Sequence, residues 1–213
     1  IYTPRWAHCD DNHAWIEVWV NGEWKYLGAC EPEPRLNLAW FTSPVQQAMY
    51  VVADVFGKYR GDEELVATDS DNSIVNVTSH YTPATRAVVR VVDASGRPAA
   101  GAKVDFRIFN YGEFYPVALL RADSSGEAAL TLGRGDILVW AWKDGRFGYA
   151  PFRVAERDTL TVALRHEEGD MGGEFSAVFA PPVLRPMPAE VTAAERAAND
   201  LRLSREDSIR EAY

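Results

Sequence analysis

The chain has 213 residues, of which 47% are hydrophobic and seven are tryptophan, enough apolar surface for one or two packed cores. Its net charge of −9 argues against a nucleic acid or an anionic membrane as partner. No apolar run is long enough to span a bilayer, and two cysteines fit either redox compartment.

The first element lies in NHAWIEVWVNGEWKY, residues 12–26. Ala14, Ile16, Val18 and Val20 alternate with Trp15, Glu17 and Trp19, a period of two in β-branched and aromatic residues that predicts a strand. Asn21-Gly22 supplies two residues tolerant of positive φ, and Glu23 to Leu27 is the return strand of a hairpin. A two-residue loop fixes the register, setting Trp19 opposite Trp24 and Ile16 opposite Leu27. Carried onward, it brings His13 level with Cys30, beside Glu31. One extra residue at Gly28, as a bulge, turns Glu31 onto the histidine's face. The open end of the hairpin is thus expected to hold an imidazole and a carboxylate within hydrogen-bond reach.

PRWAHCDDNHAWIEVW followed by WKYLGACEPEP resembles the transglutaminase-like superfamily, relatives of papain-type cysteine peptidases. The likeness covers roughly residues 2 to 80 and is sharpest over residues 12–34. It implies a Cys-His-Asp/Glu triad in which His13 is the general base and Glu31, where aspartate is more usual, is the acid that orients it. A thiolate stabilised by imidazole attacks an amide, and a carboxylate on the other ring nitrogen holds the tautomer. The family sets its cysteine at a helix N-terminus tens of residues before the histidine, whereas twelve residues precede His13 here. The resemblance therefore implies the C-terminal portion of a catalytic domain, with the N-terminal part of the same chain as its missing partner. These residues alone are expected to show no turnover. Peptides, proteins or peptidoglycan-like polymers are the implied substrates, and an exported location is implied too.

Other readings of the same residues stay open. Cys9 and Cys30 could be the nucleophile, but neither stands at a predicted helix start. They could also form a structural pair, since the register brings them near each other. His8, Cys9, His13 and Cys30 match no common zinc spacing, so neither a metal nor a cofactor is expected.

Further on, Ser43-Pro44-Val45-Gln46 reads as a capping-box start, predicting a short helical turn and then a strand through Val51, Val52 and Val55. Strands are expected at Glu64–Ala67 and Ile74–Val77. Between them Asp69, Asp71 and Asn72 read as a solvated turn, with calcium as the weaker alternative. Asn76-Val77-Thr78 is a formal glycosylation sequon. Residues 84 to 165 hold seven alternating segments separated by glycine-bearing turns, which predict an antiparallel, Ig-like β-sandwich. VDASGRPAAGAKV and ADSSGEAALTLGRGDILVWA resemble carboxypeptidase-regulatory-like and transthyretin-like sandwiches, a likeness of fold that says little of function. Phe109, Tyr111, Phe114, Tyr115, Trp140, Trp142 and Tyr149 could line a sugar-binding surface there, although alternation sends about half of such residues inward. A proline-rich linker follows, and Thr192 with Glu195 opens a helix whose apolar stripe is Ala194, Ala197, Ala198 and Leu201.

The expected fold is therefore mainly β, an α+β remnant followed by a sandwich and a C-terminal helix. Its divisions are 1–82, 83–165, a linker over 166–190 and the helix over 191–213. Two functional readings follow. One is a cysteine hydrolase or acyltransferase acting on amide bonds; the other is a non-catalytic scaffold carrying a sandwich that binds or spaces.

Overall fold

The computed structural model describes the chain except residues 4–11, 29–32, 111, 155–157, 171–173, 175, 180–185 and 213. Strand accounts for 49% and helix for 16%, which makes the fold mainly β.

The N-terminal region begins with β1 (Tyr2–Thr3), β2 (His13–Ala14), β3 (Ile16–Val20) and β4 (Glu23–Leu27). β3 and β4 pair with Ile16 opposite Leu27 and Trp19 opposite Trp24, the register expected from the two-residue loop. Asn21 and Gly22 stand at φ 53° and 85°, the positive values a type I′ turn demands at both positions. Next come α1 (Thr42–Val45), β5 (Val52–Phe56), β6 (Glu64–Thr68), β7 (Asn72–Asn76) and α2 (Thr78–Tyr81). β2, β1, β5, β7 and β6 form one antiparallel sheet in that order. The helical turn and the strand after it lie where expected, but the capping box does not form. Phe41 precedes α1 without a side-chain cap, and Ser43 Oγ instead donates to the Pro186 carbonyl at 2.9 Å. Between β6 and β7, Asp69 Oδ1 accepts the backbone N–H groups of Asp71 and Asn72, both at 2.8 Å, so this carboxylate closes a turn.

The sandwich is built from β8 (Ala84–Val92), β9 (Lys103–Asn110), β10 (Glu113–Arg121), β11 (Glu127–Gly133), β12 (Gly135–Lys143), β13 (Arg146–Val154), β14 (Thr159–Ala163) and β15 (His166–Glu167). One sheet has the order β10-β9-β12-β13-β15 and the other β11-β8-β14. Alternation sends Phe106, Ile108, Val139 and Phe152 inward from the first, to meet Val89, Val91, Leu130 and Leu132 from the second in one core. Among the described residues the pairings are antiparallel except one: β14 runs parallel to β8, with Thr159 beside Val88 and Ala163 beside Val92. β11 occupies one edge of β8, so the chain crossing from β13 takes the other edge and runs in β8's own direction. Alternation of side chains carries no information about that direction.

The two regions are joined by polar and apolar contacts together. Met49 and Tyr50 lie in the sandwich core, and Gly133 N–H donates to the Met49 carbonyl at 2.9 Å. Asn76 is buried, and its Nδ2 donates to Glu64 Oε2 at 2.8 Å and to the Thr131 carbonyl at 2.7 Å. The formal sequon is thus a structural joint whose amide nitrogen is already committed. The last element, α3 (Ala189–Ala212), starts ahead of the expected Thr192, whose hydroxyl points back to the Pro188 carbonyl inside the first turn. Val191 is its anchor in the protein, while Leu201 lies exposed.

Candidate functional site

β2 is held in place from behind. His13 pairs with Thr3 on β1, and the buried Thr3 hydroxyl donates to the Tyr50 carbonyl at 2.9 Å. With a period of two, His13, Trp15 and Glu17 share one face. The half-buried imidazole packs among three rings: Trp40 edge-on at 4.7 Å, Phe41 at 4.8 Å and Trp15 stacked at 5.7 Å. Trp40 and Phe41 arrive there because the loop after β4 folds back. Tyr26 and Asn37 exchange backbone hydrogen bonds through Asn37 Oδ1 and Asn37 N–H, both 2.9 Å. The Tyr26 phenol then donates to the Asn37 carbonyl at 2.8 Å and shares a second bond of 2.8 Å with Thr42. Asn37 tolerates the φ of 60° that this reversal requires.

A second set of polar groups continues along the same face. Trp15 Nε1–H donates to the Tyr81 hydroxyl at 2.8 Å, and that hydroxyl donates in a short bond to Glu17. Glu17 lies 3.5 Å from His80 Nδ1, and Glu63 lies 3.3 Å from His80 Nε2. The hydrogen bond to Glu17 raises the His80 pKa above its ordinary value against the opposing effect of burial, and the charges of Glu17 and Glu63 add to the rise. Burial, aided by Glu17, raises the Tyr81 pKa as well, so this hydroxyl stays a neutral phenol. The network is an imidazole clamped between two carboxylates that favour its protonated form, tying β3 to α2 and to the approach of β6. Beside it runs a groove of about 360 Å³ lined by Ile16, Trp24, Phe56 and Tyr59 among others.

The sequence-predicted residues divide accordingly. His13 was expected to head the hairpin strand; instead it opens β2, which pairs with β1 in the five-stranded sheet, and Trp15 separates it from the hairpin strand β3. Glu31, Cys9, Cys30 and His8 lie outside the described residues, and so does the expected meeting of His13 with Glu31. Gly28, where a bulge was expected, follows β4 and donates its N–H to Glu33 Oε1 at 2.7 Å. Trp15 is 2% exposed, covered by Phe41, Tyr81 and its own stacking on His13. Sequence reasoning missed Trp40, Phe41, His80 and Tyr81 as companions of this strand. The only local hint was the apolar island LAWF in an otherwise polar loop. No protein-family model matches the chain, and no curated protein matches it.

Proposed function

We propose that this chain belongs to a transglutaminase-like cysteine hydrolase or acyltransferase acting on amide bonds of peptides or cell-wall-like polymers. The observation that supports this reading is the placement of His13. Its ring stands on β2, just ahead of the hairpin, and is walled by Trp15, Trp40 and Phe41, which limit it to a narrow range of orientations. In the proposed reaction a cysteine thiolate adds to the amide carbonyl, and His13 protonates the departing amine as a thioester forms. The neutral imidazole then takes a proton from water, giving hydrolysis, or from an acceptor amine, giving transfer. In this reading the role of Glu31 is to orient the ring and hold its tautomer.

The same aromatic walls also suit a histidine that only packs, which is the scaffold reading. One experiment separates the two. In the full-length gene product, amine incorporation into casein and hydrolysis of a glutamine peptide are measured for wild type, H13A and E31Q. The catalytic reading expects H13A to lower turnover by about 10²-fold or more, the usual scale of a lost general base. Turnover unchanged in H13A, or absent from the wild type with either substrate, overturns it.

A further inference from the structure

We propose that the outer face of the five-stranded sheet carries a binding site for a neutral polysaccharide, centred on Trp140 and Trp142. In β12, Ile137, Val139 and Ala141 point into the core and are fully covered. Alternation therefore sends both tryptophans to the opposite face, where each is half-buried. Neighbouring strands set their surroundings. Trp140 lies between Asp105 and Tyr149, and Trp142 between Lys103 and Phe147. The Trp140 ring stacks on Phe147 at 5.1 Å with 6° between planes and on Tyr149 at 5.1 Å with 20°. His166 backs both of these rings at 5.1 and 5.5 Å. Lys103 Nζ lies 5.5 Å from the centre of the Trp142 ring. Rings braced in this way are ordered before any ligand arrives, which lowers the entropic cost of binding.

The chemistry of the walls selects the ligand. Arg107, Arg146 and Glu168 join Trp140, Trp142 and Phe147 around a cavity of about 380 Å³. Each guanidinium already has a carboxylate of its own, Asp105 at 2.7 Å for Arg107 and Glu167 for Arg146. The site therefore offers donors and acceptors without an excess of positive charge. An anionic ligand would meet Asp105, Glu167 and Glu168, and a purely apolar one would desolvate the arginines with nothing in return. A pyranose satisfies both demands, its C–H faces against the indoles and its hydroxyl edges toward Arg107, Arg146 and Glu168. The opposite end of the sheet is closed to such a ligand. There Phe179 packs on Phe109 and Phe114 at 5.4 and 5.3 Å, so those aromatics are used internally. This site is independent of the acyl-transfer reading.

Affinity electrophoresis of the 213-residue chain through gels holding β-glucan, xylan, mannan, chito-oligosaccharide or polygalacturonate tests the proposal. At least one of the four neutral polymers should retard the protein, and W140A and W142A should each weaken that retention roughly tenfold or more. E168A changes an exposed turn residue and does not endanger folding; it should weaken retention about threefold. W19A, at an exposed position of the hairpin, should be retained like wild type. Retention by none of the neutral polymers, by polygalacturonate alone, or equally by wild type and E168A overturns the proposal.

Discussion

His80 is where the fold acts most directly on one ionisation. Between Glu17 and Glu63 its folded-state pKa is raised, whereas in the unfolded chain it returns to about 6.5. A raised pKa gives stability that is complete below the unfolded value and lost as pH climbs through the folded one. Melting temperature should therefore decline as pH rises above about 6.5 and through the raised folded-state value. The H80Q variant should melt lower at the acid end and show a flatter profile. An H80Q profile as steep as the wild type's would show that this clamp does not control the slope. The face shared by His13, Trp15 and Glu17 was legible in HAWIE, because alternation is a local property. The arrival of Tyr81 and His80 was not, since Trp15 and Tyr81 stand 66 positions apart.

At the scale of elements, the β3–β4 hairpin is the most fully encoded piece. Its turn, its register and the edge-on Trp19–Trp24 pair at 5.2 Å all follow from Asn-Gly between alternating strands. Gly22 stands at φ 85° with open space where a Cβ would go, so a substitution there meets backbone strain and no clash. G22A should cost about 1 kcal/mol by urea denaturation, with faster amide exchange across residues 18–25. Wild-type exchange in that hairpin would mean the turn tolerates an L-residue and another contact sets the register. β14 is the contrasting element. Its alternating pattern is plain in the sequence, but its parallel pairing with β8 depends on which edge the other strands have left open.

For the molecule as a whole, the decisive feature is the joint between the N-terminal sheet and the sandwich. A Cβ added at Gly133 would lie 2.0 Å from the Ala48 carbonyl oxygen, a backbone atom that cannot swing aside. G133A should destabilise the protein by about 1–3 kcal/mol, the range of overpacked sites. Because Met49 and Tyr50 sit in the sandwich core, the loss should register in both regions. Amide exchange read at Val51 and at Leu132 would report them separately. Protection lost at one and kept at the other would show that the regions open independently.

By itself the sequence determined most of the longer strands, the I′ turn and the hairpin register, because each rests on a period of two or on a turn residue's own φ preference. It also set His13 at the head of its strand. The tertiary structure alone decided what surrounds that histidine, how His80 is charged and which tryptophans of the sandwich remain open to solvent. It likewise made Asn76 of the formal sequon a buried joint, bonded to a carbonyl 55 positions away. These outcomes rest on contacts between distant parts of the chain, and no local pattern specifies which distant partner a side chain will meet.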